Sequence, residues 1–129
     1  MTRKLNLVLA QLNPRVGDLR NNADRAIEVL KQHADADVIV FPECFLTGYP
    51  IEDLVLMPGF LAATERELAR ITEAVVAVGG SAVIMGAPEE GPALPYNAAY
   101  FISPDGSKKV ARKRDRPNDG VFDEVRNFA

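Results

Sequence analysis

Glu43, Lys113 and Cys44 are the residues of this 129-residue chain whose type and position make them candidates for chemistry. Glu43 carries a carboxylate, Lys113 an ammonium, and Cys44 the only thiol. Glu43 directly follows the apolar run Val38-Ile39-Val40-Phe41 and Pro42. It therefore falls where a buried strand ends, on the side of an open α/β sheet where ligands bind. Lys113 ends the final strand of a hairpin, before a loop containing Pro117-Asn118. Taken singly, Glu43 reads first as a solvated or loop-capping carboxylate and Lys113 as a surface lysine, and nothing in their 70-residue separation joins them. Cys44 adjoins Glu43, and neighbours in extended backbone point to opposite sides, which predicts a packed, inert thiol rather than a nucleophile. His33 has no second histidine and no cluster of ligands at metal spacing, so no metal is implied. No phosphate-cradling glycine loop ending in Lys-Ser/Thr occurs, so ATP binding has no place here.

These side chains need a scaffold, and the apolar pattern supplies one. The almost continuous apolar run over residues 5–12 predicts a central strand covered on both faces. After Val16-Gly17-Asp18, with Asp18 as N-cap, Leu19, Ala23, Ala26, Ile27 and Leu30 recur at helical spacing. Residues 38–41 form a second strand, and residues 44–59 a loop rich in glycine and proline. Phe60, Thr64, Leu68, Ile71, Val75 and Val78 mark a second helix that Gly79-Gly80 ends. Residues 81–85 predict a third strand, and residues 97–102 and 108–113 a hairpin about Ser103-Pro104-Asp105-Gly106-Ser107. The order β-α-β-α-β-β-β predicts an α/β layered domain with helices on one face of a mixed sheet. The abrupt ending at Arg126-Asn127-Phe128-Ala129 suggests an incomplete sheet whose edges invite pairing with another chain.

The composition, 47% hydrophobic and 26% charged, is that of a globular protein, and one domain over residues 1–129 is expected. No apolar run reaches the roughly 20 residues of a membrane span. The net charge of −3 and pI near 5.2 disfavour a nucleic-acid footprint. A lone cysteine and the lack of a signal-peptide pattern after Met1 point to the cytoplasm.

Val40-Phe41-Pro42-Glu43 resembles the signature after the second strand of the nitrilase superfamily, and Leu9-Ala10-Gln11-Leu12-Asn13-Pro14 is similar to its opening strand. Within it, the segment from Leu46-Thr47-Gly48-Tyr49-Pro50-Ile51-Glu52-Asp53 to Leu56 resembles the glutaminase domains of NAD synthetases. Asn118, Gly120-Val121-Phe122-Asp123-Glu124, Arg126 and Phe128 resemble a later motif of that branch. The resemblance implies an α-β-β-α sandwich, here about its N-terminal half, and a Glu-Lys-Cys constellation in which Glu43 is the general base and Lys113 the second catalytic residue. The nucleophilic cysteine would lie beyond residue 129. Tyr49 would line the glutamine pocket. The family's Leu-Pro-Asn-Tyr loop reads Arg116-Pro117-Asn118-Asp119 here, so Asp119 stands where a glutamine-binding tyrosine is usual. Glutamine is the implied substrate, its ammonia passing to a synthetase domain, absent from this chain, that binds ATP and deamido-NAD. The complete enzyme would be a homo-oligomer and this chain alone inactive. Two alternatives stay open: a non-catalytic truncated or decayed fragment, and another nitrilase-branch amidase.

Overall fold

The computed structural model describes residues 2–116, 118 and 124–129. Its elements are β1 (Leu7–Leu9), α1 (Leu19–Gln32), β2 (Val38–Val40), a 3-10 turn (Glu52–Leu56), α2 (Phe60–Val78), β3 (Ala82–Glu89), β4 (Tyr96–Ile102), β5 (Lys108–Arg112) and the short α3 (Glu124–Asn127). The strands form a mixed sheet in sequence order. β1, β2 and β3 run parallel, whereas β4 is antiparallel to both β3 and β5.

Two apolar stripes explain the helix layer. Ala23, Ala26 and Leu30 of α1 and Leu68, Ile71 and Val75 of α2 are buried in one core with Ile39, Val83 and Met85 of the sheet. An ion-paired Arg70, 2.6 Å from Asp24 and 2.9 Å from Glu67, ties the two helices at the surface. Alternation fixes the rest: on β4, Ala98, Tyr100 and Ile102 are buried toward this core, while Ala99 and Phe101 are exposed on the other face. Leu9, Val40, Ile84 and Phe101 are register partners across that second face.

The predicted order of elements and the mixed sheet are found. The first strand is not the central one predicted: β1 is three residues long, lies at the edge of the sheet, and leaves Leu9 72% exposed. A run of apolar residues states that a strand avoids water, not which neighbours cover it. Asp18 does sit at the N-cap of α1, but its side chain makes no capping bond, and only its carbonyl engages, accepting from the Asn22 N–H at 2.9 Å. β3 runs on past Gly86 and Pro88, the residues at which the sequence pattern breaks, because both pair in register with β4. No helix of the described residues is long and apolar enough to cross a membrane.

Candidate active site

Glu43 sits on a turn fastened at both ends to β3. The Phe41 N–H donates to the Ile84 carbonyl at 2.9 Å, and the Leu46 N–H to the Gly86 carbonyl at 3.1 Å. Between them the Phe45 N–H closes onto the Pro42 carbonyl at 3.2 Å, and Cys44 takes a left-handed φ of 51°. The turn lies so close to β3 that a Cβ on Gly86 would fall 2.5 Å from both the Cys44 nitrogen and the Pro42 oxygen. Behind it, the buried Asn22 side chain donates to the Arg15 and Leu46 carbonyls at 2.8 and 3.1 Å, joining the loop before α1 to this turn.

Lys113 follows β5, and its backbone N–H donates to the Asn97 carbonyl at 2.8 Å. Its ammonium is held between two carboxylates: Nζ lies 2.6 Å from Glu43 Oε1 and 3.0 Å from Glu124 Oε1. Burial alone would lower the lysine pKa, but the bonds to Glu43 and Glu124 outweigh it and hold it above the ordinary range. Glu43 is half exposed, whereas Glu124 is 2% exposed and also accepts from the Tyr49 hydroxyl at 2.7 Å. Burial first, and then the bond to Glu124, pushes the Tyr49 phenol well up. α3 is kept beneath Lys113 by Phe128, which is buried with Cys44, Ile51 and Val55, and by the Ala129 N–H on the Pro95 carbonyl at 2.8 Å.

Glu43, Asn97, Arg112 and Lys113 line an open pocket of about 430 Å³ whose remaining wall is apolar, with Phe41, Ile84 and Ala99 among its residues. A carboxylate and an ammonium in contact at the mouth of an apolar cleft can accept a proton and stabilise a nearby oxyanion, and amide hydrolysis demands both.

The structure thus brings Glu43 and Lys113 together across 70 residues and places Tyr49 one carboxylate away, through Glu124. Asp119 lies outside the described residues. His33 ends α1, where its carbonyl accepts from the Ser81 hydroxyl at 3.2 Å. No group of His, Cys, Asp and Glu that could hold a metal occurs among the described residues. Cys44 is fully buried, and burial, then the charges of Glu43 and Glu124, pushes its thiol from the ordinary 9.0 to about 12. The reason differs from the predicted one: Glu43 and Cys44 lie in a turn, not in extended backbone, so alternation does not separate them.

Two members of the cluster escaped sequence reasoning. Glu124 was legible only as part of a motif, since nothing in its spacing assigns a buried carboxylate. Asn97 donates from Nδ2 to Glu43 Oε1 at 2.6 Å. Its one sequence signal is that it is polar on the apolar strand Tyr96–Ile102.

The fold is thus a mixed sheet with helices on one face, and it gathers Glu43 after β2, Lys113 after β5 and Glu124 of α3 into one cluster. The chain belongs to the carbon-nitrogen hydrolase family, whose profile matches residues 7–127. It is 40% identical over 127 residues to the glutamine-dependent NAD(+) synthetase of Xanthomonas campestris pv. campestris, covering 96% of this chain and 22% of that protein. Among solved structures, the glutamine-dependent NAD+ synthetase of Acinetobacter baumannii superposes with a TM-score of 0.82 at 33% identity, over 97% of this chain and 24% of that one. An amidase from Nesterenkonia sp. superposes with a TM-score of 0.84 at 19% identity, over 97% of this chain and 47% of the amidase, which is a likeness of fold. The chain therefore spans about a fifth of the length of the curated relatives it matches.

Proposed function

We propose that these residues are the N-terminal part of a glutaminase domain that hydrolyses the side-chain amide of glutamine and supplies ammonia for ATP-dependent synthesis of NAD from deamido-NAD. The observation that carries this reading is the 2.6 Å contact between Glu43 and Lys113 at the mouth of the apolar pocket, in a chain whose similar proteins are glutamine-dependent NAD synthetases.

In this reading a cysteine thiolate, supplied by polypeptide outside residues 1–129, attacks the amide carbon. Glu43 takes the thiol proton and passes it to the departing nitrogen, releasing ammonia and leaving a thioester. Glu43 then takes a proton from water as the hydroxide attacks the thioester, and glutamate leaves as the thiol is regenerated. Lys113 stabilises the oxyanion of both tetrahedral intermediates, a role that is worth about 3 kcal/mol per donor in comparable sites. Glu43 Oε1 accepts from both Lys113 and Asn97, so Oε2 is the oxygen not engaged by either. Tyr49 lines the glutamine pocket, and Asp119, at the sequence position where a glutamine-binding tyrosine is usual, takes part in substrate recognition. ATP and deamido-NAD bind a synthetase domain elsewhere on the polypeptide. The complete enzyme is a cytoplasmic homo-oligomer, and residues 1–129 alone turn over no glutamine.

The test joins residues 1–129 to the rest of a carbon-nitrogen hydrolase domain that carries the cysteine, and measures glutamate release from glutamine. Turnover lost in Glu43→Gln and in Lys113→Met is the expected result. Hydrolysis of other amides but not glutamine would favour a different amidase branch, and the presence of Asp119 in place of the usual tyrosine is the feature that motivates this second reading.

A further inference from the structure

Glu43 poses a problem of restraint. The turn that carries it is otherwise buried, but its side chain is 49% exposed, and an exposed ion pair to a lysine contributes little. Fixing a long, freely rotating glutamate side chain costs more rotamer entropy than such a pair returns, so the contact with Lys113 does not by itself hold the carboxylate in one place.

Asn97 does what the lysine cannot. It is 3% exposed, near the start of β4 and in the lining of the pocket, and three of its polar atoms are committed. Nδ2 donates to Glu43 Oε1 at 2.6 Å, Oδ1 accepts from the Cys44 thiol at 3.4 Å, and the backbone carbonyl accepts the Lys113 N–H at 2.8 Å. The two side-chain bonds determine each other. A protonated thiol is a donor and an ionised carboxylate only accepts, so the amide has a single orientation that satisfies both. Turned over, it would set its oxygen against Glu43 and its NH₂ against the thiol.

We propose that Asn97 is a positioning residue of the site, its amide oriented by the Cys44 thiol so that it holds Glu43 Oε1 against Lys113 and leaves Oε2 for proton transfer. The role rests on the hydrolytic reading above. It also accounts for Cys44, whose buried thiol acts not on substrate but on the orientation of an amide.

The completed domain described above serves for the test. In Asn97→Ala, kcat for glutamine should fall roughly 10- to 100-fold with KM changed less than about threefold, the scale on which a displacement of about 1 Å acts. Cys44→Ala should lower kcat to a smaller extent, and Cys44→Ser, whose hydroxyl still donates to the amide, should restore it. A kcat loss that only follows the folded fraction by circular dichroism, or a rise in KM as large as the loss in kcat, would overturn the role. If the unaltered domain hydrolyses no glutamine, the functional reading fails and the hydrogen-bond chain is judged by NMR of the same protein. The Asn97 side-chain amide protons should then shift in both Glu43→Gln and Cys44→Ala, and unchanged resonances would refute the chain.

Discussion

Lys113 Nζ lies 3.0 Å from Oε1 of Glu124, a carboxylate that is 2% exposed and whose Oε2 has no hydrogen-bond partner among the described residues. Glu124 is thus a buried charge with an incomplete set of partners, tolerable because an ammonium and a phenol face its other oxygen.

Removing the ammonium should therefore cost more than a surface ion pair would. Lys113→Met is expected to lower the unfolding free energy by about 2–3 kcal/mol, because it leaves an uncompensated buried carboxylate. Adding Glu124→Gln should recover most of the loss. Urea denaturation of the four proteins measures both, and additive losses would contradict the pairing. The pH dependence has a definite sign. The folded lysine pKa is raised above its ordinary 10.5, so the stability it contributes is fully present below about that pH and is lost as pH rises through the folded value.

Cys44 gives an alkaline signature of its own. Its folded pKa of about 12 lies above the ordinary 9.0, so between these values the unfolded chain releases a proton that the folded chain keeps. Stability should fall with pH across that window, by up to about 1.4 kcal/mol per unit from this group. The slope should be smaller in Cys44→Ser, which does not ionise there. At pH 8 the native thiol should resist iodoacetamide and react once urea unfolds the chain. Rapid alkylation of the native protein would mean that the thiol is neither buried nor held protonated.

Gly86 is tested by crowding. An added Cβ would meet two backbone atoms at 2.5 Å, and backbone cannot swing aside as a side chain can. Gly86→Ala is expected to destabilise by about 2 kcal/mol or more. Because the displaced atoms flank Glu43, kcat in the completed domain should drop as well. Gly59→Ala provides the contrast, since no atom lies within 4 Å of the added Cβ there, although its positive φ imposes a cost of its own.

How much of this could be read from the sequence depends on the range of the interaction. The helical stripes of α1 and α2 and the turn at residues 103–107 are local patterns, and they appear where the spacing puts them. Glu43 was visible as a strand-end carboxylate, and Lys113 as a strand-end lysine. Their contact was not, because it depends on β2 pairing with β3, β3 with β4 and β4 with β5. Only the resemblance to a family joined them. Asn97 and Glu124 act through partners 54 and 11 positions away, and no periodicity encodes such a bond. The edge position of β1 was unreadable for the same reason, since Leu7 and Leu9 are as apolar as any core residue.

Tyr49 separates a structural role from a binding one. Its hydroxyl donates to Glu124 Oε1 at 2.7 Å, and a hydrogen bond to a buried charged group is worth about 1.5–3 kcal/mol. Tyr49→Phe keeps the ring and removes only that donor, so unfolding free energy should fall by roughly 1–2 kcal/mol, somewhat less than the full value because Lys113 still faces Glu124. If the ring also lines the glutamine pocket, Tyr49→Ala in the completed domain should raise KM for glutamine well beyond Tyr49→Phe, with kcat affected less. Equal KM values for the two variants and the unaltered protein, alongside the loss of stability, would confine Tyr49 to holding Glu124 in place.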